Sequence, residues 1–469
     1  MDTWRLRRGL APAALVFLTA CLGPGPYGSG PAPGAPGVGD PLFPGLGNGG
    51  YDVRHYGLTL VYDPATRHLT GTADITARAT QHLSSFRLDL RGLAVREVTV
   101  QGERAGVKRV GDELVVRPRN AVPEGGELRT VVRYSGRPGA ITDPDGSEEG
   151  WIPTADGAIA VGEPAGSMAW FPGNHHPTDK ATYTLAITVP RGLTAVSNGA
   201  LTRRTESGSG TTFVWDSDRP MASYLATLAI GRYELLRGTA PGANRNGREG
   251  TPVITAAHTS VPARGRALLA RVPEIVRWAT RTFGPFPFST TGATLAPAGS
   301  LGYALETQTR PVLPSDRADL PTLVHEIAHE WYGNAVSPRS WKDMWLNESF
   351  ATYAEWLWAE ESGGVPVEDS FRAAYERADN WAFPPADPPS AAEVSGAPVY
   401  GRGAMVLHRV REELGEGLFR RLLVEWPRDR RDGNASTAEF TAYVEKLSGK
   451  DLDAVWKTWL YGTGRPPRS

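Results

Sequence analysis

Cysteine is almost missing from this chain: one residue, Cys21, among 469. No intramolecular disulfide can form, so burial and hydrogen bonding must hold the fold. Charge of either sign is not in excess, with 50 Lys and Arg against 51 Asp and Glu and a net charge of −1. That balance excludes nucleic acid as the main partner, because phosphate binding needs a clustered basic surface. The short basic run Arg428–Arg431 is broken by Asp429 and reads as a solvated face. No stretch reaches the roughly 20 apolar residues that span a bilayer, and no internal repeat is visible. Disorder is excluded by 14 Trp, 15 Tyr and 13 Phe, which is too much apolar surface to leave in water. At roughly 100–200 residues per domain, the length allows two or three domains, each with its own core.

What is present begins at Met1. Arg5, Arg7 and Arg8 precede an apolar stretch from Leu10 to Phe17, and Leu18-Thr19-Ala20-Cys21 follows. A charged segment, a short apolar segment and small residues in that order read as an export signal over residues 1–20. The Leu-Thr-Ala-Cys ending resembles the bacterial lipobox, which implies lipidation at Cys21 and attachment to the outer face of the cell membrane; the alternative is a secreted protein. From Leu22 to Gly50 there are eleven Gly and seven Pro. With Cys21, this segment reads as a flexible tether over residues 21–50.

From Tyr51 to Arg248 the pattern is strand after strand. Tyr56, Leu58, Leu60 and Tyr62 alternate with smaller or polar residues, as do Tyr183, Leu185, Ile187 and Val189. Turn signals such as Asp63-Pro64 and Ser197-Asn198-Gly199 recur, which predicts an antiparallel β-sandwich or saddle over residues 51–248. Beyond residue 248 the texture is helical. Arg264–Phe283, Leu320–Asn334, Glu348–Glu361, Ala404–Leu414, Ala438–Leu447 and Leu452–Tyr461 read as helices, with strands near Gly292–Pro297 and Leu301–Gln308. The fold class is therefore α+β and multi-domain.

The decisive segment is His325-Glu326-Ile327-Ala328-His329. On a helix, positions i and i+4 lie one above the other, so two imidazoles converge on one cation. Zinc in a hydrolytic site takes three protein ligands and keeps one position open. Glu326 sits beside that face, placed to take a proton from the attacking water. For the third ligand, Glu348 follows His329 after eighteen intervening residues, enough for a return loop and a second helix. Asn347 reads as the N-cap of that helix, with Phe350, Tyr353 and Trp356 on its docking face.

His-Glu-x-x-His, eighteen residues, then Glu within Asn347-Glu348-Ser349-Phe350-Ala351 resembles the aminopeptidase N family of zinc metallopeptidases, relatives of leukotriene hydrolase. The resemblance covers about Tyr51 to Pro467. It implies a β-saddle before a thermolysin-like catalytic domain, with one zinc per chain. In the family's Gly-x-Met-Glu-Asn loop the Glu holds the substrate's free α-amine. The matching residue is Glu306, with Tyr303, Leu305 and Thr307 where the family has Gly, Met and Asn, and with Ala304 between. Tyr303 and Ala304 are carried over as substrate-contacting.

Glu163-Pro164, Ala169-Trp170-Phe171-Pro172 and Asp179–Tyr183 are similar to the stretch of the β-saddle that reaches the cleft. The resemblance makes Glu163 a second amine contact, although Val161 stands where a Gln is usual. His175-His176 in the same loop reads as a surface pair rather than a second metal site. Tyr400-Gly401-Arg402-Gly403-Ala404 resembles the family's Tyr-x-Lys-Gly-Ala segment, which makes Tyr400 the donor to the oxyanion. His408, on the helix that follows, reads as core.

The resemblance implies a peptidase that releases N-terminal residues from peptides with a free amine. The alternatives are a thermolysin-type endopeptidase, favoured by the altered amine loop, and a surface lipoprotein that binds zinc without catalysis. Larger family members carry a helical C-terminal domain after the segment matching Trp459–Pro466. Its absence from this sequence implies a more open cleft.

Overall fold

The computed structural model describes residues 30–243, 247 and 249–468. The export signal and Cys21 lie outside the described residues, as does the first part of the segment read as a tether.

Alternation builds the first half. Tyr56, Leu58, Leu60 and Tyr62 are all at most 1% exposed along the strand Tyr51–Asp63. Each such side chain contributes roughly 1.5–3 kcal/mol by leaving water. This strand sits inside an eight-stranded sheet, beside His68–Ala79 on one edge and Lys180–Val189 on the other. The pairing with Lys180–Val189 is parallel, so the sheet is mixed rather than purely antiparallel. A five-stranded sheet contains Ala140–Thr142, Glu148–Pro153 and Ala158–Val161, and the last of these strands runs into the turn that carries Glu163.

The boundary read at residue 248 falls inside a hairpin. Tyr233–Ala243 and Glu249–His258 pair with each other, and the second of them continues into Thr291–Ala296 and Val312–Pro314 as one four-stranded sheet. The catalytic half therefore begins near Tyr233. Gly- and Asn-rich composition reads alike for a turn and for a linker.

Residues 30–50 are not a tether. Ala32–Pro33 pairs with Leu83–Asp89, and Asp40 and Asn48 are 4% and 1% exposed. Asp40 Oδ2 accepts from Ser340 Oγ at 2.8 Å and Trp341 N at 2.9 Å, while its Oδ1 accepts from Leu42 N and Phe43 N, both at 2.9 Å. Asn48 Nδ2 donates to Asp89 at 2.7 Å. The arm thus joins both halves of the molecule through polar contacts, and its prolines lower the entropy lost on docking. Composition registers the missing apolar residues but not these buried hydrogen bonds.

The helix read as Arg264–Phe283 divides into Ala263–Leu269 and Val272–Phe283, because Pro273 starts a new first turn. The strand expected at Leu301–Gln308 reduces to a single bridge between Leu305 and Val312. Two further helices, Val367–Glu376 and Glu416–Arg430, complete the catalytic half.

Candidate metal and peptide site

The helix Leu320–Ala328 starts at Asp319, whose Oδ1 accepts from Thr322 N at 2.9 Å, with Pro321 in its first turn. Leu323, Val324, Ile327 and Ala328 are fully buried and fix its rotation. His329 closes the helix with right-handed backbone angles, and its N–H donates to His325 O at 3.2 Å, so the i, i+4 spacing holds to the end. The second helix runs from Trp345 to Glu361. Asn347 is therefore not its N-cap. It lies inside the first turn, buried, with Nδ2 donating to Tyr224 Oη at 3.3 Å.

Glu348 Oε2 lies 3.1 Å from His325 Nε2 and 3.4 Å from His329 Nε2. Tetrahedral bonds of about 2.0–2.2 Å place ligand atoms roughly 3.3–3.6 Å apart. The residues present therefore fit a zinc ion. Glu355 Oε1 is 2.7 Å from His325 Nδ1, and Tyr332 O is 2.9 Å from His329 Nδ1. A metal on each Nε2 leaves the proton on Nδ1, so both rings donate to these partners. Glu355 was missed by the sequence reading; its signal is the seven-residue step from Glu348, which returns to the same helix face.

Beside the three ligands, the cleft of ≈ 640 Å³ is lined by Glu326, Glu306, Glu163, Tyr303, Ala304 and Tyr400. Every site residue read from the sequence within the described region thus faces one space. Burial pushes the Glu326 carboxyl up against the pull of the two imidazoles. Its Oε2 has no hydrogen-bond partner, nor do Glu306 Oε1 and Glu163 Oε1. Burial raises both Glu306 and Glu163, and repulsion among Glu163, Glu306 and Glu348 adds to it. Carboxylates crowded in this way await a cation.

Tyr400 reaches the site through a tight crossing. Pro398–Arg402 forms one widened helical turn before the helix Gly403–Leu414. A Cβ on Gly403 would come within 1.7 Å of Ser349 Oγ, so only glycine lets the two helices meet there. Ser349 Oγ donates to Val399 O at 2.9 Å. Tyr400 then stacks against His325, with ring centroids 6.1 Å apart. Burial, and after it Glu348 and Glu163, keep its phenol protonated. Arg402 points away from the cleft, donating to Trp459 O at 2.8 Å and lying over Trp381.

The His175-His176 pair is buried rather than on the surface. His176 faces Asp40 and Thr178, and His175 faces Phe171 O. His408 is buried, as read, between Tyr353 and Glu368.

A β-saddle leaning on a two-helix His-Glu-x-x-His site defines a zinc metallopeptidase. Residues 313–459 match the Peptidase family M1 domain, and residues 155–225 match the Peptidase M1 N-terminal domain. An M1 zinc metallopeptidase from Deinococcus radiodurans superposes with a TM-score of 0.85 at 30% identity, covering 92% of this chain and 98% of that one. A Glu-to-Ala mutant of the Deinococcus radiodurans M1 zinc metallopeptidase, bound to a Tyr-Ser-Ala substrate, matches with the same score. A probable aminopeptidase 1 from Sulfurisphaera tokodaii is 24% identical over 411 residues, 81% of this chain and 49% of its own length. A leucyl aminopeptidase from Saccharolobus solfataricus is 25% identical over 323 residues, 62% of this chain and 39% of its own. The chain belongs to the M1 family of zinc metallopeptidases. It spans about half the length of the first two curated relatives it matches.

Proposed function

We propose that the protein is a zinc aminopeptidase that releases N-terminal residues from peptides. One observation carries this reading: Glu163, Glu306 and Glu348 offer carboxylate oxygens within 4.8 Å of one another, two of these residues beside the metal ligand. Two carboxylates beside the metal ligand, each with an unpartnered buried oxygen, are a receptor for an α-ammonium group.

His325, His329 and Glu348 hold the metal. Bound there, zinc supplies Lewis acidity for the attacking water and the substrate carbonyl. Glu326 takes the proton of the water and returns it to the leaving amine. Tyr400 donates to the oxyanion. Glu306 and Glu163 grip the N-terminus, with Tyr303 and Ala304 walling the space beside it.

The test is hydrolysis of leucyl and alanyl anilides against their N-acetyl counterparts, with and without a chelator. Loss on chelation and loss on acetylation are expected. Equal cleavage of the blocked compounds selects the endopeptidase alternative.

Attachment to the outer face of the cell membrane through lipidated Cys21 is part of the proposal. It is supported by the arginine-flanked apolar segment and the Leu-Thr-Ala-Cys sequence. Incorporation of labelled palmitate, abolished by Cys21→Ala, checks it.

A further inference from the structure

Glu306 stands beside a turn that the β-saddle holds in place. Leu305 and Val312 exchange backbone hydrogen bonds of 2.9 Å, so Glu306 opens a short hairpin loop. Inside the loop Arg310 N donates to Thr307 O at 3.0 Å, and Thr307 Oγ1 donates to Arg310 O at 2.7 Å. Thr309, the third residue of this turn, has a φ of 67°. A turn with its left-handed residue at that position is type II, where glycine or asparagine is usual. A β-branched side chain there is strained, and it persists only where the surroundings impose it.

Those surroundings are the β-saddle turn Ser197-Asn198-Gly199, which lies 110 residues earlier in the chain. Gly199 N donates to Thr309 Oγ1 at 2.8 Å. Asn198 Nδ2 donates to Gln308 O at 2.8 Å and Leu225 O at 2.9 Å, while its Oδ1 accepts from Thr227 N at 2.8 Å. Two carbonyls and one N–H around a single side chain call for an amide, which both donates and accepts. Arg310 is fully buried and donates to Ser197 O, to Gly199 O at 3.1 Å and to Ile254 O at 3.0 Å. From the opposite side Glu330 Oε2 accepts from Thr309 N at 3.1 Å and Asn334 Nδ2 at 3.2 Å. The same Asn334 Nδ2 donates to Glu306 O at 2.8 Å. Gln308, Thr309 and Arg310 are thus each tied to the β-saddle. Neither Asn198 nor Thr309 lines the cleft.

We propose that Asn198 and Thr309 are positioning residues, which hold the strained turn so that the Glu306 carboxylate meets the substrate's α-amine. The inference rests on the aminopeptidase reading and deepens it, because a turn of the β-saddle outside the cleft then governs amine capture. Without these bonds nothing keeps Thr309 left-handed. The turn relaxes and Glu306, two residues before Gln308, moves with it. A misplacement of about 1 Å is enough to cost on the order of 100-fold.

The experiment measures KM and kcat for leucyl anilide on the zinc-loaded enzyme and on its Asn198→Ala and Thr309→Gly variants. Glycine takes the left-handed conformation freely, so Thr309→Gly removes the hydroxyl without straining the turn and is the variant expected to fold. KM should rise by about tenfold in each variant, with kcat little changed. Loss of folded protein lowers the apparent kcat and leaves KM as it was, so poor folding is not mistaken for misplacement. Thr309→Ser keeps the hydroxyl and should keep the KM of the unaltered enzyme. Each substitution is then repeated in Glu306→Gln, where it should add almost nothing to KM, because both residues act through a carboxylate already replaced. A residue whose substitution leaves KM unchanged has no positioning role. A rise as large in Glu306→Gln as in the unaltered enzyme also overturns the inference. Failure of the unaltered enzyme to hydrolyse any aminoacyl anilide overturns the aminopeptidase reading and the positioning role with it.

Discussion

Glu355 Oε1 lies 2.7 Å from Nδ1 of His325, two turns along the helix that also supplies Glu348. A single helix thus provides both the third ligand and the carboxylate that fixes the tautomer of the first. Replacing Glu355 by Gln leaves the ligand count intact but weakens that hold. Zinc affinity should fall by about 10–100-fold. Competition with a graded chelator, read as bound zinc rather than activity, checks this. Unchanged zinc affinity would remove Glu355 from the positioning role.

Glu326 is buried, faces the cleft and has an unpartnered Oε2. Glu326→Gln keeps the shape and removes the base. Turnover should fall by at least 10²–10⁴-fold, the range typical of a lost general base, with zinc content unchanged. Retained hydrolysis would place the proton transfer on another group.

Glu306 acts on the amine rather than on the reacting bond. Glu306→Gln should therefore raise KM for free-amine substrates, by roughly 10–100-fold for loss of a buried charge contact, with a smaller change in kcat. Steady-state kinetics on leucyl anilide separates the two. An equal loss on N-acetylated peptides would show that Glu306 serves the general structure of the cleft instead.

Much of the site and of the fold is legible in the sequence. His325, Glu326, His329 and Glu348 announce themselves because metal chemistry forces fixed residue types at helical spacing. Alternation placed Tyr56 through Tyr62 on a buried face for the same kind of reason, a repeating geometric demand. Glu355 is legible only once Glu348 is fixed as a ligand, through the seven-residue step along one helix face, since a carboxylate on a helix is ordinarily solvated. Tertiary placement then turns it toward His325. The composition of the arm misleads for a related cause: Gly and Pro report how a chain bends, whereas docking there depends on polar partners more than 300 residues away, such as Trp341 N on Asp40.

Asp40 gives that docking a pH dependence. Burial works against its ionised form, but His176, the N–H groups of Phe43 and Trp341 and the Ser340 hydroxyl outweigh it, and its carboxyl is held well below the usual carboxylate range. A carboxyl depressed in the folded state stabilises at pH values above its unfolded pKa, roughly 4, and that contribution fades as pH falls through and below this value. Asp40→Ala should cost about 2–4 kcal/mol at neutral pH, since buried N–H and hydroxyl donors lose a charged acceptor. Denaturant unfolding of both proteins across acid and neutral pH measures this, and the gap between them should narrow as the solution is acidified. A gap independent of pH would mean that the arm is held by its chain path alone, without help from this carboxylate.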